Sequence, residues 1–165
     1  MDKLIDLPHV QAVMEEMAIA IRNEYQDNLI RNDRIASGDL LNNIEYEITR
    51  GDFTYTIYVK MKDYWYYVEN GRKAGKRPPI QNILDWIIIK PVLPRPRYNS
   101  KGKLQLPTPL QLAFAIATKI GKEGTEGTQD LRKATDTIWD TFEDRLYEAI
   151  DEDVDAAFIQ IFHYL

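Results

Sequence analysis

The sequence contains no cysteine, which excludes disulfide bonds, thiolate metal sites and a cysteine nucleophile. Histidine is also scarce, because only His9 and His163 are present and they lie at opposite ends of the chain. Neither belongs to a motif for a metal site or a Ser-His-Asp triad, so both are interpreted as surface or packing residues. We therefore predict no catalytic residues, no metal, no cofactor and no enzymatic activity.

Long apolar runs are lacking as well. The longest one covers residues 112–117, far fewer than the roughly 20 residues that a membrane-spanning helix needs, and the run at residues 86–89 is shorter still. Residues 1–8 lack the basic and apolar regions of a signal peptide. We expect a product of the cytoplasm with no membrane partner.

The length and composition favour one soluble globular domain over residues 1–165. Hydrophobic residues make up 44% of the chain and charged residues 28%, typical of a folded protein that buries a core. The formal net charge of −5 argues mildly against a general nucleic-acid binder.

The charges are distributed as two poles of opposite sign. Residues 69–103 contain nine basic side chains, opposed only by Glu69 and Asp85. Residues 136–155 contain nine acidic side chains, opposed only by Arg145. Such a chain can associate head to tail, with the basic segment of one copy against the acidic helix of the next.

The apolar periodicity predicts a long first helix followed by a hairpin. Residues 7–31 repeat apolar side chains at helical spacing, with Asp6 as the expected cap. Alternation over residues 44–61, around a short loop containing Gly51, predicts an antiparallel hairpin. The aromatic residues 64–68 are predicted to add a third strand, with a tight turn back across the sheet as the alternative.

The second half of the chain is predicted to be mainly helical. Helices are expected over residues 80–90 and 109–120, the latter ended by Gly121. Between them, residues 91–108 form a proline-rich segment that is interpreted as a mobile or partner-binding loop, with a short hairpin of residues 92–93 and 104–106 as one option. Residues 129–164 form an acidic helical segment, with a break expected after Asp151. The fold class is therefore α+β, a small antiparallel sheet flanked by N-terminal, middle and C-terminal helices.

Short motifs occur in a characteristic order along residues 37–131. They are Ser37-Gly38-Asp39-Leu40-Leu41 before the hairpin, Tyr67-Val68-Glu69-Asn70-Gly71 after it, Pro78-Pro79-Ile80 leading into Ile83 and Trp86, Ala113-Phe114-Ala115-Ile116-Ala117 with Ile120, and Gly124-Thr125. This succession resembles the tail-completion, or head–tail joining, family of tailed bacteriophages. The resemblance implies a non-enzymatic structural virion protein of the phage neck, assembled in the bacterial cytoplasm.

The resemblance further implies a homo-oligomeric ring, of six- or twelve-fold symmetry, around the channel that the genomic DNA traverses. Its partners are then the portal or adaptor proteins and the tail proteins, and the DNA passes without sequence-specific binding. The residues predicted to form the oligomer or partner interface come from the aromatic cluster and from both charged poles. They are Trp65, Tyr66, Arg72, Lys73, Lys76, Arg77, Arg95, Arg97, Asp140, Glu143, Asp144 and Glu148.

Other interpretations of the same residues stay open. The aromatic residues 65–67 can anchor a partner or pack on the protein's own helices. The basic segment 72–103 can contact nucleic acid, which makes a nucleic-acid-binding accessory protein the alternative function. A small enzyme that uses the carboxylates of Asp140 and Asp144 is a third hypothesis.

Overall fold

The computed structural model describes residues 7–35, 37–51, 54–90 and 92–163, and its contacts separate into two compact units. Unit 1 consists of the described residues within Met1–Asp33, Asn43–Lys62 and Asp130–Leu165. Unit 2 consists of those within Arg34–Asn42 and Asp63–Gln129. The single domain expected over residues 1–165 stays a prediction.

The protein has an α+β fold, as the sequence predicts. In chain order the elements are α1 (Pro8–Arg31), α2 (Asp39–Asn42), β1 (Glu45–Arg50), β2 (Tyr55–Lys60), α3 (Trp65–Asn70), β3 (Gly71–Arg72), α4 (Ile80–Ile89), β4 (Arg97–Tyr98), β5 (Leu104–Gln105), α5 (Pro109–Glu123), β6 (Thr125–Glu126) and α6 (Asp130–His163). Three antiparallel two-stranded sheets are present among the described residues, pairing β1 with β2, β3 with β6 and β4 with β5.

Unit 1 is built on the antiparallel packing of α1 against α6, with the β1–β2 hairpin beside them. One cluster of its core is formed by the buried residues Val10, Met14, Met17 and Ala149. Partly buried apolar side chains from α6 and the hairpin pack around them, among them Phe142, Leu146, Ile48 and Ile57. Alternate hairpin residues face this core, which confirms the period-2 prediction for residues 44–61.

The third strand predicted over residues 64–68 is wrong, because Trp65–Asn70 is the helix α3. Its aromatic residues do not alternate with polar ones, so the run carried strand propensity but no strand pattern. Aromatic residues cost a helix only a few tenths of a kcal/mol each, about 0.5 kcal/mol at most. The helix ends at Gly71, which has φ +72° and ψ −164°, a conformation that is essentially open only to glycine.

Unit 2 joins two helix ends through a short ladder. Gly124 ends α5 with φ +76° and ψ −164°, almost the same backbone conformation as Gly71 at the end of α3. The strand β3 begins at Gly71, and β6 begins directly after Gly124. The two strands pair with each other, Gly71 opposite Glu126 and Arg72 opposite Thr125. A Cβ on Gly124 would lie 2.2 Å from the carbonyl oxygen of Arg72, so the backbones approach more closely than any side chain allows.

Two predicted helix ends differ from the structure. The helix α5 continues past Gly121 to Glu123, and a Cβ on Gly121 would lie 2.6 Å from the Arg77 side chain. Gly121 therefore permits close packing rather than ending the helix. The break predicted after Asp151 is absent, because α6 is continuous from Asp130 to His163 and contains neither glycine nor proline. The predicted cap residue Asp6 lies outside the described residues.

The proline-rich segment contains a small hairpin. It pairs β4 with β5, so the first strand lies at Arg97–Tyr98 and not at residues 92–93 as predicted. Asn99 organises the turn, because its side-chain oxygen accepts the N–H groups of Lys101 at 2.9 Å and Lys103 at 3.0 Å. That residues 91–108 are mobile or bind a partner stays a prediction.

Candidate interaction surfaces

The start of α1 is held by a carboxylate from the far end of the chain. Pro8 opens the helix without an N–H group, and the preceding Leu7 offers no side-chain acceptor. The carboxylate of Asp153, on α6, accepts the N–H of His9 at 3.1 Å and the N–H of Val10 at 2.9 Å. Asp153 thus satisfies two donors that an α-helix leaves open, which is the usual role of a capping side chain within the same helix.

The imidazole of His9 is a further partner of Asp153. Its Nδ1 lies 2.6 Å from Asp153 Oδ1, and its Nε2 lies 3.7 Å from a carboxylate oxygen of Glu152. The hydrogen bond with Asp153, helped by the two negative charges, raises the pKa of His9 above its ordinary value of 6.5. Burial alone would raise the pKa of Asp153, but the hydrogen bonds from Val10 and His9 outweigh it and hold that pKa below 3.8. Both shifts favour the ion pair.

A second buried carboxylate lies at the opposite end of the helix pair. Asp130 begins α6, and its Oδ1 accepts the side-chain amide of Asn32 at 2.7 Å, while its backbone carbonyl accepts that of Asn28 at 3.2 Å. The relative exposures of Asp130 and Asp153 are 0% and 1%. Because a buried carboxylate is costly without hydrogen bonds, these two residues favour the alignment of α6 along α1 in which their partners are in reach.

The sequence did contain a signal for Asp153. Phe142, Leu146, Ala149 and Asp153 recur at helical spacing on the face of α6 that packs against α1. An acidic residue at a core position indicates a buried partner, since aspartate is almost never fully buried unless it is paired. In composition, however, Asp153 is only one of the nine acidic side chains of residues 136–155.

The outward face of α6 combines acidic and apolar side chains. The predicted interface residues Asp140, Asp144 and Glu148 are exposed on α6, and Glu143 is partly exposed. Exposed apolar residues continue the same side of the helix toward its C-terminus; they are Tyr147, Ile150, Val154, Phe158 and Phe162. Since α1 begins level with Asp153, the last ten residues of α6 extend past the start of α1.

The aromatic residues of α3 form a cluster in unit 2 with one of the predicted arginines. Trp65 and Tyr66 make an edge-to-face contact with centroids 6.1 Å apart, and Tyr66 and Tyr67 make another at 5.9 Å. The Arg72 guanidinium lies 4.6 Å from the centroid of the Tyr67 ring. Trp65 is partly buried, whereas Tyr66 and Tyr67 are exposed, so the cluster presents its tyrosines to the solvent.

The predicted basic residues fall into two groups, at the two ends of α5. Arg72, Lys73 and Arg77 lie beside the C-terminal end of α5, where the backbone of residues 72–74 meets Gly124 and Arg77 packs on Gly121. Lys76 is exposed in the same loop. Arg95 and Arg97 instead line a groove at the N-terminal half of α5, so the sequence segment does not form one continuous patch.

That groove, called the hairpin groove here, is lined by the β4–β5 hairpin, the residues before it and α5. Its volume is about 440 Å³, and its lining includes Leu93, Arg95, Arg97, Tyr98, Leu106 and Leu112. Leu93 and Tyr98 are 89% and 77% exposed. Two arginines and several exposed apolar groups therefore share one concave surface.

The described residues contain neither a metal cluster nor a membrane-spanning helix. Within residues 7–35, 37–51, 54–90 and 92–163, no group of three or more histidine, aspartate or glutamate side chains is arranged to hold a metal ion. None of the helices in this described part is both long and apolar enough to cross a membrane.

Comparison with protein-family models, with curated proteins and with solved structures finds no match for this chain. The resemblance to the tail-completion family therefore stays a prediction.

Proposed function

We propose that this chain is a non-enzymatic structural subunit of a tailed-bacteriophage virion, a neck or tail-completion protein that joins the portal–adaptor complex to the tail. Its copies form a ring around the DNA channel, and the genome passes without sequence-specific contacts. The observation that carries the proposal is the pair of surfaces just described. One chain exposes an acidic, apolar helix face and a basic, apolar groove, and such surfaces suit binding to other proteins.

The fold supports the proposal by bringing the resembling motifs together. Glu69-Asn70-Gly71 and Gly124-Thr125 are far apart in the sequence, yet their backbones meet in the β3–β6 ladder. The backbone carbonyls of Val68 and Glu69 also accept the N–H groups of Thr128 and Gln129. Motifs that looked separate in the sequence therefore belong to one structural element of unit 2.

The motif at Ser37-Gly38-Asp39 is tied to the same unit through Tyr64. Burial, and then the charge of Asp39, raises the pKa of Tyr64, although hydrogen bonds with the Leu40 backbone and the Ser37 side chain act in the opposite direction. The Ser37 hydroxyl also accepts the N–H of Asp39 at 3.2 Å and so forms a local turn just before α2. The short motif thus has a structural role beside α3.

Light scattering of the purified chain at low and high salt, with electron microscopy of the same samples, tests the proposal. We expect a discrete closed oligomer at low salt and smaller species at high salt, because the Debye length falls from about 10 Å at 0.1 M to about 3 Å at 1 M. A chain that needs its partners should form the ring on addition of portal, adaptor or tail proteins from the same phage. A chain that stays monomeric with all of them contradicts the proposal.

The second candidate function is nucleic-acid binding through the basic segment 72–103. The exposed ring of Tyr98 beside Arg97 favours it, because aromatic and cationic side chains together bind single strands. Titration with duplex and single-stranded DNA over a range of salt concentrations separates the two functions. Tight binding with a steep salt dependence by a monomeric chain supports the nucleic-acid function and contradicts the ring.

A further inference from the structure

We infer that the C-terminal outward face of α6 in one copy docks into the hairpin groove of a second copy. This inference rests on the proposed function, since it names the contact through which subunits associate. The docking face of α6 consists of Tyr147, Ile150, Val154 and Phe158, with Asp151 and Asp155 beside them.

The docking face has the pattern of a helix that binds a groove. Ile150, Val154 and Phe158 follow one another at four-residue intervals, and Tyr147 precedes Ile150 by three, so all four lie on one side of the helix. This side is turned away from Ala149 and Asp153, the residues buried against α1, and Ile150 lies at its edge, next to Asp153. Packing against α1 therefore leaves these apolar side chains exposed, where an incoming surface can cover them.

The hairpin groove is complementary to this face in chemistry. Leu93, Leu106 and Leu112 supply apolar surface, and Arg95 and Arg97 supply two exposed positive charges. A helix that presents apolar residues with flanking aspartates matches both the apolar surface and the positive charges of the groove. Its apolar side chains cover the leucines, and each arginine can pair with a carboxylate at the edge of the apolar contact.

Charge also decides against pairing of two α6 faces. Asp144, Asp151 and Asp155 lie on or beside the exposed apolar stripe, so two copies of α6 packed on each other would oppose like charges. The groove offers charges of the opposite sign on the same chain. A second copy is therefore an occupant of matching chemistry, and because the two surfaces differ, successive contacts of this kind close into a ring where the rotation between copies permits.

Charge reversal on the two surfaces tests the contact. The groove variant Arg95→Glu/Arg97→Glu and the helix variant Asp151→Lys/Asp155→Lys should each weaken self-association about tenfold or more at low salt, measured by sedimentation velocity over a range of concentrations. A chain carrying all four substitutions should associate again, since both signs are exchanged. Its formal net charge is still −5, so the recovery cannot come from a change in net charge.

The matched control is Lys73→Glu/Lys76→Glu, which makes the same change of charge at the other end of α5. It should weaken association less than the groove variant does. All substituted residues are exposed, and circular dichroism with thermal melting confirms that each variant is folded.

Three results overturn the inference. They are a wild-type chain that is monomeric at every concentration, a groove variant that associates like the wild type, and a fourfold variant that fails to associate.

Loss of DNA binding in the groove variant of a monomeric chain assigns the groove to nucleic acid instead. Closed rings that ignore the charge reversals overturn this contact and leave the proposed function standing. Pairs or open chains that follow the reversals support the contact and contradict the ring.

Discussion

Replacing Asp153 with alanine removes the carboxylate that caps α1 from across the helix pair. The N–H groups of His9 and Val10 then lose their acceptor, and the bond to Val10 is a buried one. A lost capping side chain costs about 0.5–2 kcal/mol. A buried donor left without a partner costs about 1–3 kcal/mol. Because two N–H groups lose their acceptor, the two costs add in large part, and we expect a loss of about 3 kcal/mol in the free energy of unfolding.

Urea unfolding at pH 7, followed by circular dichroism at 222 nm, measures this loss. For a chain of this length about 3 kcal/mol corresponds to a decrease of roughly 6–12 °C in melting temperature. The matched control is Asp151→Ala, which removes an exposed acidic residue two positions away. With all samples at a concentration too low for self-association, it should stay within about 0.5 kcal/mol of the wild type. Asp153→Asn keeps one carbonyl acceptor and should lie between the two.

A value for Asp153→Ala within about 0.5 kcal/mol of the wild type refutes the reasoning, because the cap would then contribute no more than a surface residue. Equal losses for Asp153→Ala and Asp151→Ala refute it as well, since they would attribute the effect to helix charge rather than to the cap.

Three further predictions concern His9 and two loop positions. The pH-dependent part of the stability difference between wild type and His9→Gln should be fully present below pH 6.5 and be lost as pH rises through the raised folded-state pKa, because the protonated imidazole gains more from Asp153 than the neutral one does. Urea midpoints from about pH 5 to about pH 9 measure it, and a difference that grows with pH contradicts it. Gly124→Ala should lower the free energy of unfolding by about 3 kcal/mol, since the added Cβ would lie 2.2 Å from a backbone oxygen. Gly102→Ala, at φ +69° in open space, should lower it by only about 1 kcal/mol. Equal melting temperatures of the two variants would contradict the close approach at Gly124. Thr108→Ala removes the capping box with Gln111 and should cost about 1 kcal/mol in thermal melts, while Thr108→Ser should cost little.

Local pattern explains which parts of the fold could be predicted from the sequence. The helix α1 and the β1–β2 hairpin have long, regular periodicity, and both lie where predicted. The run at residues 64–68 has high strand propensity without alternation, and the glycine after it ends a helix instead. The β3–β6 ladder joins residues about 50 positions apart, and two-residue strands leave no periodic signal.

The candidate surfaces could be predicted only in part. The sequence shows the composition of the two charged poles, but the hairpin groove depends on how residues 93–98 fold back beside α5. The division of the basic residues between the two ends of α5 has the same tertiary origin. Asp130 and Asp153 resemble the solvated acids around them in composition, and only packing against α1 distinguishes them.

The two buried carboxylates also have a mechanical consequence. Asp130 and Asp153 hold α6 to opposite ends of α1, about 34 Å apart at 1.5 Å per residue. A force along the axis of α6 therefore acts on the hydrogen bonds of Asp130 and of Asp153 at the same time, in shear. These bonds would not break one after another, as they would if the helix were lifted from one end. The segment of α6 beyond Asp153 is rooted directly at one of these anchors. Tension applied to its exposed end is thus transmitted to the whole helix pair, with little freedom for the helices to slide.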